Sequence, residues 1–239
     1  VDLYDQEFSR DIEPMRGGFG DNYYWQMVAN IRRCKGARPL PAASPAKTIA
    51  IPGDFAQWAE VKPVYLDDLH DTTHRDCDGV PGAGRYTNKS GRNDLDTSHI
   101  AQDATHCFFH VSTREVLTPA TDADWMILLL DTDQNAKTGW HGYDFRLNHT
   151  RPSADSANVE RWNGKEWQTV GTAKLQIGTN ELHLVAERTV LGFAPDKPLH
   201  FDFKWTDNVP ANAEAIDFLD QGDAAPNARF NYRYQAGPE

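Results

Sequence analysis

Trp125-Met126-Ile127-Leu128-Leu129-Leu130-Asp131-Thr132-Asp133-Gln134-Asn135-Ala136-Lys137-Thr138-Gly139-Trp140-His141-Gly142-Tyr143-Asp144 opens with the most apolar run of the chain and closes in an acidic, glycine-punctuated loop. The run, residues 125–130, reads as a buried strand that delivers carboxylates, an amide and two aromatic side chains to one edge of a sheet. Such an edge can hold a hard cation through oxygen ligands and offer ring faces to a sugar. The pattern points to binding more than to catalysis.

Outward from that loop, short runs of β-forming residues alternate with turn residues. Strands are predicted near 95–101, 107–113, 124–131, 143–149, 199–205 and 229–234. Two hairpins are marked by their turns: residues 159–162 and 166–170 flank Asn163-Gly164, and residues 175–177 and 182–185 flank Gly178-Thr179-Asn180. Long helices do not alternate with these strands, which argues against a Rossmann fold or a complete (β/α) barrel. The fold class is therefore all-β: an antiparallel β-sandwich, jelly-roll-like, with an N-terminal helical segment. That helix is predicted over 21–36, where Tyr24, Met27, Val28 and Ile31 recur at helical spacing, Asp21 and Asn22 offer caps and Gly36 ends the run. Residues 37–46 read as a linker, with three prolines in the nine residues 37–45, and residues 47–239 as the sandwich.

Composition narrows the function classes. At 239 residues, 39% hydrophobic and a mean hydropathy of -0.65, no stretch approaches the ~18 apolar residues that span a bilayer. A net charge of -11 without a basic run disfavours nucleic acid. The chain begins at Val1 with no leader pattern and is read as a processed product or a piece of a longer polypeptide, secreted, periplasmic or at the cell surface. Cys34, Cys77 and Cys107 lack the close spacing of a zinc or redox pair. A Cys77–Cys107 bridge, which would contribute about 3–4 kcal/mol, and three free thiols are equally open.

Seven tryptophans exceed what a core of this size requires. Trp140, Tyr143, Trp162 and Trp167 sit in or beside turns, where exposed rings can stack on the C–H faces of a pyranose. Trp58, Trp125 and Trp205 lie in strand patterns and are predicted core residues. Trp162 and Trp167 also flank the Asn163-Gly164 turn and could simply form a cross-strand pair. Arg92, Asn93 and Asp94, together with Asn208, offer planar groups for sugar hydroxyls or local turn contacts. For a cation, Asp131, Asp133 and Asn135 with Asp144 supply oxygens, and calcium is the ion they suit. An EF-hand is excluded because Ala136 and Gly142 stand where it needs glycine and glutamate. A second stretch, residues 67–78, contains Asp67, His70, Asp71 and His74 but reads mainly as a solvated loop. No nucleophile elbow, phosphate loop or zinc-protease signature is present.

Ile51-Pro52-Gly53-Asp54-Phe55-Ala56-Gln57-Trp58, then residues 125–133, then Thr138-Gly139-Trp140-His141-Gly142-Tyr143-Asp144 follow one another in a way that resembles carbohydrate-binding module family 9 and its β-sandwich relatives, DOMON-type domains included, over residues 46–239. The resemblance implies sugar binding between aromatic side chains, structural calcium and attachment to a glycoside hydrolase. Asp11-Ile12-Glu13-Pro14, ahead of a glycine-rich stretch and a tyrosine-rich helix, resembles the close of the barrel in glycoside hydrolase families 99 and 71, which makes residues 1–36 a barrel remnant. The Asn-Glu-Trp segment that precedes Glu-Pro in those enzymes is missing, which leaves a catalytic role for Glu7 or Glu13 in doubt. The implied function is a non-catalytic module that brings a polysaccharide-degrading enzyme to its substrate. The rival readings are part of a hydrolase whose catalytic residues lie outside this chain, a structural spacer, and, from the DOMON likeness, a haem-binding domain, which three methionines support poorly.

Overall fold

The computed structural model describes residues 18–237 except 37–38, 73–74, 79–83, 151, 195–196, 211 and 215–216. The resemblance of residues 11–14, with Glu7 and Glu13, and the histidine His74 fall outside the described residues. The chain is mostly β. After helix α1 (Asn22–Lys35) and a 3-10 turn (Phe55–Trp58) come β1 (Val64–Leu66), β2 (Arg75–Asp78), β3 (Arg85–Asn88), β4 (Leu95–Gln102) and β5 (His106–Thr113). β6 (Ile127–Asp131), β7 (Phe145–Leu147), β8 (Ser156–Trp162), β9 (Trp167–Ile177), β10 (Glu181–Glu187) and β11 (His200–Asp207) follow, then a short helix α2 (Asp217–Asp220), β12 (Asp223–Ala225) and β13 (Tyr232–Gln235).

Eleven strands form one antiparallel sheet in the order β1-β4-β5-β10-β9-β8-β7-β6-β11-β12, with β13 also paired to β11; β2 and β3 form a separate hairpin. The sheet curls nearly closed. Phe109 of β5 meets Phe201 of β11 at 6.2 Å across the core, and Tyr65 of β1 meets Phe203 edge-on at 4.8 Å. The Tyr65 hydroxyl donates to the carbonyl of Arg233, tying the β1 edge to β13.

Alternation decides which side chains enter that core. Cys107, Phe109 and Val111 of β5, Leu182 and Leu184 of β10, and Phe201, Phe203 and Trp205 of β11 point inward. β6 is covered on both faces: Leu128 and Leu130 join the central core while Ile127 and Leu129 join a second cluster outside it. A strand buried on both sides must be continuously apolar, which is why residues 125–130 stand out in the sequence. Trp58, Trp125 and Trp205 are all buried, as predicted, although Trp58 lies in the 3-10 turn and Trp125 in the bend ahead of β6, neither in a strand.

The Asn163-Gly164 turn joins β8 to β9: Gly164 has φ +96°, and Asn163 Oδ1 accepts the N–H groups of Lys165 and Glu166. The two predicted segments 166–170 and 175–177 are one continuous strand, β9. Helix α1 matches its predicted span, but Asp21 makes no side-chain cap, none of its residues is buried and Ile31 is exposed. Asp21 instead pairs with Arg229 at 2.7 Å. Cys107 is a free, buried thiol, which removes the bridge to Cys77, and burial pushes it up to about 12.

On the outer face of β4, β5 and β10 lies a row of three neighbouring histidines, His99, His110 and His183, beneath Phe55 and Trp58. His110 Nε2 lies 2.8 Å from Glu181 Oε2, His99 Nδ1 lies 3.1 Å from His110 Nδ1, and Trp58 Nε1 donates to His183 Nδ1 at 3.1 Å. His183 Nε2 lies 3.0 Å from Gln176 Oε1. One pattern of neutral tautomers satisfies the whole row. His110 donates to Glu181, His99 donates to His110, and His183 donates to Gln176.

Candidate functional site

The outer side of β6 carries Ile127 and Leu129 into a cluster with Tyr143, Val209, Phe218 and Ala224, against which Trp140 and Trp167 pack half-buried. The loop after β6 folds back because Trp140 and Tyr143 exchange backbone hydrogen bonds of 2.8 and 2.9 Å. Gly139 permits that return: its φ is +68°, and a Cβ there would sit 2.3 Å from the Tyr143 carbonyl oxygen. The Trp140 ring then lies 6.0 Å from Trp167, and Trp167 lies 5.4 Å from Trp162, its direct cross-strand partner. Four aromatics predicted from separate segments thus converge. Tyr143 is the floor of this group, 3% exposed, with its hydroxyl donating to Asn231 Oδ1 at 2.7 Å.

Beside the indoles stands an ion pair that the sequence reading missed. Arg146 Nε donates to Glu160 Oε2 at 2.6 Å, and the guanidinium lies over the Trp167 ring at 4.7 Å. Burial alone would raise the Glu160 carboxyl, but His149 and Arg146 outweigh it and bring it down to about 2. Arg146 and Glu160 are register partners between β7 and β8. The available signal was an arginine between Phe145 and Leu147 and a glutamate after Val159, each a charge beside core positions in a predicted strand.

Asp131, Asp133 and Asp144 each place one carboxylate oxygen within 4.8 Å of the others. The Asn135 N–H points among them, donating to Asp133 Oδ1 at 2.9 Å and to Asp131 Oδ1 at 3.2 Å. The Asn135 side chain instead accepts the N–H of Lys137, so it shapes the turn. Burial, then the neighbouring carboxylates Asp144 and Asp202, raise Asp131 to about 7. A close group of three hard oxygens could hold a metal ion.

Residues 67–78 are not only a solvated loop. Asp67 and Asp71 come within 4.8 Å of buried Asp223, and burial raises Asp67 to about 7. Fully buried Lys204 donates to the Pro226 carbonyl, and burial lowers its ammonium to about 7 against the pull of Asp67 and Asp223. Within the same stretch, the His70 N–H donates to both oxygens of Asp94 at 3.1 Å.

The other predicted sugar contacts are committed inside the fold. The Arg92 fork binds Asp207 through Nε at 2.7 Å and Asp122 through Nη1 at 2.6 Å. Asn93 exchanges hydrogen bonds with Thr118, and Asn208 Nδ2 donates to the Ser90 carbonyl at 2.7 Å. Arg92, Asn93, Asp94 and Asn208 therefore join distant segments, and we leave them out of the site. No helix among the described residues is long and apolar enough to cross a membrane. No protein-family model, curated protein or solved structure matches the chain, so the reading of the site rests on its own residues.

Proposed function

We propose that this chain is a carbohydrate-binding module, a two-layer β-sandwich of the family 9 type, which holds a secreted or cell-surface polysaccharide-degrading enzyme on its substrate. The observation that carries this reading is the convergence of Trp140, Trp162 and Trp167, each half-buried, from one loop and one hairpin into one group of indoles. A fold that needs rings only for its core hides them, as it does Trp58, Trp125 and Trp205. The partly open rings present faces for sugar C–H bonds, and Arg146 and Glu160 lie alongside. Tethering of this kind raises local substrate concentration without a catalytic group in the module.

Affinity electrophoresis through xylan, mixed-linkage glucan and galactomannan tests it. The wild-type chain is retarded by at least one of these polymers, and Trp140→Ala and Trp162→Ala each weaken that retardation about tenfold, the loss of one central aromatic contact. Unchanged retardation in both variants removes the proposed platform.

Calcium belongs to the same proposal, held by Asp131, Asp133 and Asp144. At a concentration ~100 times its dissociation constant it adds about 2.7 kcal/mol, or roughly 5–10 °C in a thermal scan. Asp133→Asn, at an exposed position, abolishes that increment. Identical scans of the wild type in calcium and in chelator rule the ion out.

A further inference from the structure

Between α1 and the loop of residues 136–143 lies a cleft of about 290 Å³. Its walls include Tyr24, Trp25, Asp131, His141, Arg229 and Asn231, and none of the tryptophans discussed above lines it. The geometry points to this cleft as a binding pocket for a single sugar ring, with α1 as one wall of the site. The inference rests on the carbohydrate-binding reading and extends it from the loop after β6 to helix α1.

Size sets the first limit. Pockets for small molecules run from ~300 Å³ upward, so a cleft at the bottom of that range admits one ring and not a run of them. Wall chemistry sets the second. The exposed indole of Trp25 stands on the helix side, where the Arg229 guanidinium already covers the Tyr24 ring, and the Asn231 amide and the His141 imidazole stand on the body of the fold. Rings for C–H faces opposite planar hydrogen-bonding groups for hydroxyls are the combination a pyranose requires.

Helix α1 buries none of its residues, and Trp25 is 61% exposed, so this indole is not held in place by the core. What fixes the helix here is the Asp21–Arg229 ion pair, with the Arg229 guanidinium 4.3 Å from the centre of the Tyr24 ring. Asn231 is oriented in the same way. Its Oδ1 accepts the hydroxyl of buried Tyr143, which turns its amide nitrogen away from that contact, and no described residue accepts from that nitrogen. A fixed amide donor with a free N–H beside an exposed indole is a prepared contact for a ligand oxygen.

The full 239-residue chain is titrated with the methyl glycosides of xylose, glucose, galactose and mannose, followed by tryptophan fluorescence and saturation-transfer NMR. At least one glycoside binds the wild type. Trp25→Ala and Asn231→Ala each weaken it about tenfold, whereas Trp25→Phe, which keeps a ring face, stays within about threefold. Thermal midpoints of the two Trp25 variants match the wild type, since that side chain is exposed. Asn231→Ala also takes the acceptor from the buried Tyr143 hydroxyl and has a lower midpoint, so its binding is read well below that midpoint. It is paired with Asn231→Asp, which keeps the acceptor, removes the N–H and weakens binding alike. If both alanine variants bind as the wild type does, or no methyl glycoside binds while polysaccharide retardation still depends on Trp140 and Trp162, the cleft is not a site and the carbohydrate reading stands. If the wild type retains no polysaccharide and binds no glycoside, both fall together.

Discussion

Arg92→Ala is expected to lose about 3–5 kcal/mol of stability in urea denaturation, the loss typical of leaving a buried charge without its partner. The guanidinium is held by two carboxylates from different parts of the chain, Asp122 at 41% side-chain exposure and Asp207 at 0%. Burial raises Asp207 even with Arg92 present, while the hydrogen bond from Arg92 lowers the more open Asp122. The two shifts differ in sign because desolvation dominates at one partner and charge at the other. With the arginine gone, Asp207 has only backbone and amide donors, among them the Met126 N–H at 2.9 Å. Its carboxyl then takes up a proton more readily in the folded state than in the unfolded chain. An acid whose folded pKa is raised loses stability as pH rises through that value, so the defect is larger at pH 8 than at pH 5. Arg92→Lys recovers part of the loss, because an ammonium cannot fork to two carboxylates at once. A loss below ~1 kcal/mol, or one independent of pH, would show that the clamp carries no weight.

The second large effect concerns acid. Burial, the first cause at each position, lowers His99, His110 and His183 to about 4. His110 further lowers His99 and His183; Lys62 also opposes a charge on His99, and Glu181 favours one. Glu181 is itself raised, by burial first and then by Asp54. Geometry agrees with this order. A proton on His183 Nδ1 would face the Trp58 N–H, and a proton on His110 Nδ1 would face the His99 N–H. Since the folded pKa lies below the unfolded value of ~6.5, the unfolded chain takes up protons first as pH falls. The stability that the three neutral histidines contribute is therefore intact above ~6.5, declines from there towards 4, and is gone below 4. For His110, which is 4% exposed, the change between pH 7 and pH 5 is about 2 kcal/mol.

Asp67 and Asp131, both raised to about 7, titrate with the opposite sign over the same window. A comparison with His110→Gln cancels them. Glutamine can donate to Glu181 and accept from His99 while carrying no titratable group. The wild type should lose about 2 kcal/mol more than the variant between pH 7 and pH 5. Parallel pH curves for the two proteins would mean that the histidine row is not the acid-sensitive element.

Much of the architecture was legible in local pattern. Alternation located β4, β5, β10 and β11 to within a residue or two at most ends, and Asn163-Gly164 marked its hairpin. The strands that escaped, β1, β2, β3 and β12, are three or four residues long, too short to show a period. β12 adds a second difficulty: Asp223-Ala224-Ala225 has little strand preference and pairs because β11 offers it an edge.

The candidate site divides in the same way. Trp140, Trp162, Trp167 and the three carboxylates could be named because aromatic and acidic residues in turns are conspicuous. Their meeting could not, since it depends on how β6 to β9 lie side by side. Arg92 shows the cost of reading locally. Beside Asn93 and Asp94 it resembled a sugar contact, yet its partner Asp207 is 115 positions away.

The sequence by itself determined the strand-rich class, the both-sides-buried β6, the three core indoles and the acidic loop, because period, turn chemistry and side-chain type act over a few neighbouring residues. Only the tertiary structure decided which indoles group together, which charges are paired, that Cys107 stays free, and that α1 faces a cleft. Those outcomes depend on sheet order and on the burial that follows from it, and neither is written in any short window of the chain.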